Sequence, residues 1–376
     1  MIIRHIILTV LFFNTVLLSG QYSKSEDVYY SRLEGEADSS IIITANIIRL
    51  SENINGTYSY VTKADGLKKL HSNSIPLTGS VKNDTAHISE LGKKDNLLIG
   101  EIKRKSFSGY WNFNDHTEYP ISMAESYPEG SIPFDVYYLH SEEKLFMDSV
   151  DTPTAEIELT LVFPVKINEN SQIIDSVKKH ITDSFFGNDT FDLDPDSMLT
   201  HFESEYYGNY KDQNIDRYNS GASFNWQRIL SMTVLNNSNE LLCLEYLKYA
   251  YAGGAHGMTN ISFNNIDLNT GMIYLYEDLF KDGSDSLLSV ELTRELYLDR
   301  QIPHDIDLKE AGYFVDMVGP NHNFFINNNG IGFLYNSYEI APYSMGQTTI
   351  FIEFDKIINL LKEDTSIYDL AKNKAL

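Results

Sequence analysis

The chain has 376 residues, is 42% hydrophobic and 12% aromatic, and sets 29 Lys+Arg against 53 Asp+Glu for a formal charge of −24. That is a folded acidic protein with apolar mass for two or three domains of ~100–200 residues. A disulfide-stapled scaffold is excluded because Cys243 is the single cysteine, and phosphate backbones and anionic membranes are repelled, whereas a cation or a basic protein is attracted.

At the N-terminus, Met1, Arg4 and His5 precede an apolar run from Ile6 to Leu18, followed by Ser19-Gly20-Gln21. The pattern predicts a signal peptide over 1–20, cleaved near Gly20. The run is shorter than the ~20 residues a spanning helix needs, and no later stretch approaches that length. A secreted or periplasmic protein, soluble after cleavage and without a transmembrane anchor, is expected. Residues 21–140 hold 12 Lys+Arg and 16 Asp+Glu, net −4, and residues 141–376 hold 16 and 37, net −21. The acidity therefore belongs to the second part.

Between 21 and 127, short segments rich in Ile, Val, Tyr and Thr are separated by Gly, Asn, Asp and Ser. Strands are expected at 29–35, 40–50, 56–61, 75–81, 86–91, 97–105 and 109–113. About eight strands at ~8–12-residue spacing make a small antiparallel β-barrel or meander. The repeated Gly-x-aromatic pattern at Gly56-Thr57-Tyr58 and Gly109-Tyr110-Trp111 fits barrel corners: the missing Cβ permits the bend and the aromatic fills the interior.

The stretch 128–153 holds three prolines with mixed charge and reads as a linker. Beyond it, 154–376 reads as an α+β domain with helices on one face of an antiparallel sheet. Ala155–Phe163 alternates at period two, as a half-buried strand does, and Ile173, Ile174, Val177, Ile181 and Phe185 share one helix face within 170–186. A second helix is expected at 202–210, strands at 225–236, 240–252 and 258–267, a turn at Asp267–Gly271, a helix at 284–298, strands at 323–327, 332–335 and 348–354, and a terminal helix at 355–362.

Three motifs in this part carry a resemblance: Tyr249-Ala-Tyr-Ala-Gly-Gly-Ala-His-Gly257, Phe263-Asn-Asn-Ile-Asp-Leu-Asn-Thr-Gly271 and Tyr338-Glu-Ile-Ala-Pro-Tyr-Ser-Met-Gly346. Over about 155–360 the chain resembles the RsiV-like C-terminal domain family, a domain of unknown function shared by the ectodomain of a lysozyme-sensing anti-sigma factor and the non-catalytic part of PdaC-like deacetylases. The resemblance implies the α+β fold and a lysozyme-type basic partner. The catalytic domain of the PdaC-like enzymes is not matched: Thr190-Phe191-Asp192 is similar to the start of its metal motif, but Leu193 stands where a second Asp belongs.

The candidate ligand-binding residues are Tyr251, Gly253, Gly254 and His256 in the first motif and Tyr338, Glu339 and Tyr343 in the third. Glycines admit a ligand to the backbone or serve a turn that needs positive φ; tyrosines beside Pro342 form a rigid amphipathic contact or a buried corner bracing the last strand. Asp192, Asp194, Asp196 and Glu203 fall at positions 1, 3, 5 and 12 of a calcium-loop register, but Ser197 replaces the glycine of position 6 and Pro195 restricts the loop. No zinc, Walker or dinucleotide signature occurs, so no metal and no cofactor is expected, and no catalytic residue is assigned. The leading reading is an exported, non-enzymatic binding protein of the cell envelope that recognises a basic protein such as lysozyme. A carbohydrate- or peptidoglycan-binding module comes second, and third a hydrolase using His256 with Glu245 or Asp278. The barrel interior is a further place for one small molecule.

Overall fold

Eight strands build the N-terminal unit: β1 (Val28–Ala37), β2 (Ile41–Leu50), β3 (Asn53–Thr62), β4 (Ile75–Lys82), β5 (Thr85–Glu90), β6 (Leu98–Lys103), β7 (Ser106–Asn112) and β8 (Glu118–Glu125). They form a closed antiparallel barrel, sealed where β1 meets β8 from Leu33↔Glu125 to Ala37↔Ile121. The computed structural model describes residues 26–37, 41–62, 74–93, 97–112, 118–165, 171–187, 193–218 and 224–375; the expected leader and Asp192 lie outside them.

Alternation along each strand sends one set of side chains inward, and Leu33, Ile43, Ile47, Ile54, Ile88, Phe107 and Trp111 pack there as a core. Side chains occupy the interior that the sequence left open to a small ligand. The two corner glycines act as expected. Gly109 faces Gly100 across β6 and β7, and a Cβ on either would strike the facing backbone, as one on Gly56 would strike the Asn46 carbonyl. Tyr58 and Trp111, two residues after these glycines, are buried in the interior.

The second part contains two sheets where the sequence reading placed one. The larger is ordered β13-β12-β11-β10-β9, with β9 at Phe134–Lys144, β10 at Thr154–Pro164, β11 at Trp226–Ser238, β12 at Leu241–Tyr251 and β13 at Met258–Asp267. It is mixed, because β10 and β11 run parallel from Ala155↔Trp226 to Thr160↔Ser231. A parallel pair requires a crossover, here carried by α1 (Ser171–Phe186) and α2 (Pro195–Asn214). The apolar stripe of α1 packs on Ile157, Leu159 and Leu161 of β10 and Leu230 of β11.

After α3 (Tyr276–Leu279) and α4 (Asp285–Arg300), the smaller antiparallel sheet comprises β14 (Phe324–Ile326), β15 (Gly330–Tyr335) and β16 (Thr348–Glu353). Leu288, Leu292 and Leu296 of α4 cover Phe333, Ile350 and Ile352. The expected terminal helix is shorter than read, a single turn α5 (Phe354–Ile357) and a 3-10 turn ending at Leu360, and a further helix α6 (Ser366–Ala375) follows.

The stretch read as a linker is structural. It contains β9, an edge strand whose Phe134, Val136 and Leu139 join the core of the mixed sheet. Pro133 immediately precedes β9 and Pro153 immediately precedes β10, where a missing N–H costs no ladder bond, and their carbonyls accept from Val165 and Leu145. Tyr30, Ile48 and Leu50 project from the outer wall of the barrel into the same core, with Tyr30 edge-on to Phe134 at 5.5 Å.

Buried polar groups lock this junction. Asn237 accepts from Ile132 N at 3.0 Å and donates to Ile132 O at 2.7 Å and Tyr30 Oη at 3.2 Å. Tyr30 donates to Asn46 at 2.8 Å, Asn46 to Thr57 at 3.4 Å, and Thr57 to Val234 O at 2.9 Å. The chain of bonds starts and ends on β11, where a bulge between Val234 and Asn236 breaks the ladder and frees carbonyls for barrel hydroxyls. Replacing Asn237 by Ala strands a buried N–H and C=O of Ile132; unfolding in urea should show a loss of about 2–4 kcal/mol, and an unchanged midpoint would mean that water takes over the amide's role.

Candidate functional site

The first and third motifs lie about 90 residues apart in sequence and meet at the end of the β12–β13 ladder where the connecting loop turns. In the β12–β13 connection Gly253 and Gly254 take φ of 87° and 99°, the left-handed region that side chains with a Cβ avoid. These two glycines therefore serve the turn. Gly257 serves packing, because the ring of Tyr249 covers the space a Cβ would need. Tyr251 donates to Gly254 O at 3.1 Å, tying the loop to its own strand.

Across from this loop, the bend 336–347 is held by several bonds. Asn336 accepts from Ile261 N at 2.8 Å and donates to Ile261 O at 3.0 Å, and Phe314 N donates to Ile340 O at 2.8 Å. Tyr338 N closes the bend on Ala341 O at 3.0 Å. These bonds hold Tyr338 at φ 73°, a conformation costing roughly 1–2 kcal/mol for a residue with a Cβ.

The outcome is a ring stack. His256 and Tyr343 lie face to face, centroids 4.0 Å apart and planes at 21°, and Tyr338 stands 5.9 Å from Tyr343. Tyr343 Oη donates to Gly257 O at 3.0 Å, and His256 Nδ1 lies 3.0 Å from the same oxygen. Tyr338 is 52% and Tyr343 36% exposed, so the rings form a surface platform and not a buried corner. Glu339 is exposed beside Asn321, 3.5 Å from its amide.

Around the platform, residues that the sequence reading passed over add to it. Phe314, Met317 and Met258 are exposed, the first on the loop bonded to the bend and the last on the strand that follows Gly257. Alternation of Tyr249 and Tyr251 was the available signal for a shared face; nothing local marked Phe314 or Met317. The segment 299–316 carries five acids, all exposed, against Arg300 and Lys309, and Lys309 is spent on Asp316 at 2.6 Å. Exposed rings and Phe314 thus lie beside an acidic loop.

The other candidates are separate. Glu245 lies six residues before Tyr251, about 20 Å down the strand at ~3.3 Å per residue, opposite Phe263 and Thr233. Asp278 is occupied by the Leu275 amide at 2.9 Å. The His256–carboxylate pair is therefore not assembled. In the calcium register, Pro195 starts α2 and Asp194 caps it, accepting from Ser197 N at 3.1 Å and Ser197 Oγ at 2.7 Å, whereas Glu203 accepts from Ser141. Proline pre-sets the first helical φ, so helix replaces loop; among the described residues no three His, Cys, Asp or Glu converge on one point.

Two family models match this part of the chain. Deacetylase PdaC matches residues 150–259 and a protein of unknown function (DUF3298) matches residues 277–355, so His256 comes from one matched segment and Tyr343 from the other. The chain is 24% identical over 181 residues to the peptidoglycan-N-acetylmuramic acid deacetylase PdaC of Bacillus subtilis, covering 48% of this chain and 38% of that protein. It thus spans well under half of the curated relative it matches. A solved DUF3298 family member from Bacteroides fragilis superimposes with a TM-score of 0.58 at 22% identity, over 65% of this chain and 99% of that one. A second, from Pseudomonas aeruginosa, gives 0.43 at 18%, over 62% and 96%. The likeness to the Bacteroides protein is one of fold.

Burial pushes the Glu245 carboxyl up to about 7, against a weaker opposing bond from Thr233. A carboxyl raised in the folded state contributes stability at low pH that is lost as pH rises through its folded value. The variant Glu245→Gln should match wild type near pH 5 and exceed it near pH 8 by up to about 3 kcal/mol; urea unfolding at the two pH values measures the gap.

Proposed function

We propose that this chain is an exported, non-enzymatic binding protein of the cell envelope and that its ring platform docks a basic protein. The observation that carries the reading is the exposed Tyr338–Tyr343–His256 stack with Phe314 on the loop bonded to its bend, next to an acidic segment. Rigid aromatics make hot-spot contacts at low entropic cost. The net −21 of residues 141–376 steers a cationic partner and makes association salt-dependent. A lysozyme-type muramidase is the partner that the RsiV-like resemblance implies.

Peptidoglycan glycan is the second reading, supported by the Bacillus relative, a peptidoglycan deacetylase by name, and by the exposed tyrosines Tyr338 and Tyr343, a residue type that stacks on sugars. The two readings differ in salt response, since a neutral glycan is indifferent to ionic strength. Calorimetric titration with lysozyme and with soluble peptidoglycan fragments, each at low and high salt, separates them. Lysozyme binding that weakens at least tenfold between about 50 and 300 mM salt is expected, with Tyr343→Ala and His256→Ala weakening it while the circular dichroism spectrum is kept. Heat from the glycan alone would move the function to wall binding, and wild-type affinity in both variants would remove the platform as the site.

A further inference from the structure

A second candidate site lies away from the platform and does not depend on that reading. Where the barrel, the bulged end of β11 and the β14–β15 turn converge, they enclose an open-mouthed cleft of about 50 Å³, room for a few waters or one small functional group. Arg32, Asn46, Ser59, Ser74, Asn236 and Asn327 contribute to its walls, and none of its lining side chains is acidic. In a chain of net charge −24, that lining is exceptional.

Most of the wall amides are committed to the fold. Asn236 donates to Ser238 O at 3.1 Å and Leu241 O at 2.8 Å, and Ser74 donates to Leu235 O at 2.6 Å. Asn327 differs. Its Oδ1 accepts from Asn329 N at 2.8 Å and Gly330 N at 3.1 Å, which fixes the orientation of the amide. Its Nδ2 is buried without an acceptor in a residue 3% exposed. A buried donor left unpaired is costly and calls for a partner.

Arg32 supplies the charge. This residue is 4% exposed and spends Nε on Asn237 O at 3.1 Å and Nη1 on Ser126 O at 2.8 Å and Glu34 at 3.1 Å. Its Nη2 donates to none of the described residues. Glu34 is 40% exposed at its side chain and is not part of the lining, so water screens that pairing.

We propose that the cleft binds the carboxylate of a small organic acid or of a carboxylate-ended chain, with Asn327 Nδ2 and the Arg32 guanidinium as donors. A planar two-oxygen anion matches two donors in so small a space, and a guanidinium pairs with it through charge-assisted bonds. Because the barrel, β11 and the β14–β15 turn all wall the cleft, occupancy ties the three together and raises the stability of the whole.

The test is a titration of the isotopically labelled chain with sodium acetate, N-acetylglycine and acetamide at constant ionic strength, following the side-chain amide of Asn327 and the Nε–H of Arg32 by NMR. Saturable shifts at both groups with acetate place a free acid in the cleft; a response to N-acetylglycine alone places a carboxylate-ended chain there. The variant Asn327→Asp keeps the acceptor of the β14–β15 turn and loses the donor, so it should fold normally, and the Arg32 response should weaken at least tenfold. No saturable shift with either carboxylate, an equal response to acetamide, or wild-type affinity in Asn327→Asp would overturn the proposal and leave the cleft to water.

Discussion

Three asparagine side chains hold this molecule's parts in place. A carboxamide carries the same donor and acceptor as a peptide group, so a buried Asn can pair with backbone the way a neighbouring strand would. Asn237 does this with both groups of Ile132, Asn265 with Phe324 O and Ile326 N, and Asn336 with both groups of Ile261. The first fixes the segment that leads from barrel to mixed sheet, the second lays β14 on β13, and the third anchors the bend. The first two, each 2% exposed, satisfy peptide groups that would otherwise be buried unpaired, which explains why such polar residues stand inside apolar cores.

The barrel is thereby part of the fold's main core. Its inward side chains form a cluster of their own, whereas Tyr30, Ile48 and Leu50 on its outer wall belong to the core of the mixed sheet. Arg32 and Thr57 lie on that same wall and reach β11, and Asn46 beside them donates to Thr57. Burying polar groups between two apolar cores demands a complete hydrogen-bond network, since a partly satisfied one is worse than none. The relay from Asn237 through Tyr30, Asn46 and Thr57 to Val234 meets that demand. Beside it, in the cleft between the end of β11 and the β14–β15 turn, the amide Nδ2 of Asn327 stays unpaired.

The platform follows from the same anchoring. Asn336 ties the bend to β13, Tyr343 ties it to the β12–β13 loop, and the loop itself is shaped by two glycines at positive φ. Exposed rings held this firmly have little conformational freedom left to lose. His256 stacks on Tyr343 and contacts a backbone carbonyl, which fixes the ring in place.

Strand and helix periodicity was legible because alternation and the 3.6-residue stripe report burial on one face, which each segment carries in its own residues. That suffices for β1 to β7 of the barrel, for α1 and for the run of β10 to β13; β8 was not marked. The glycines at 100 and 109, which face each other across β6 and β7, show the limit: the sequence marked Gly109 as a corner, and only register named its partner. Proline and mixed charge made 128–153 look like a linker, because an edge strand between two prolines has no local mark that separates it from a loop. The parallel β10–β11 pair, the second sheet and the meeting of His256 with Tyr343 all depend on contacts between residues tens of positions apart. By itself the sequence determined the elements, the sign of the charge and the residue types offered at each bend. Which asparagine amides become rungs, which aromatics stack and where a buried donor stays unpaired were decided by tertiary structure, because pairing is a property of two distant segments and is written in neither alone.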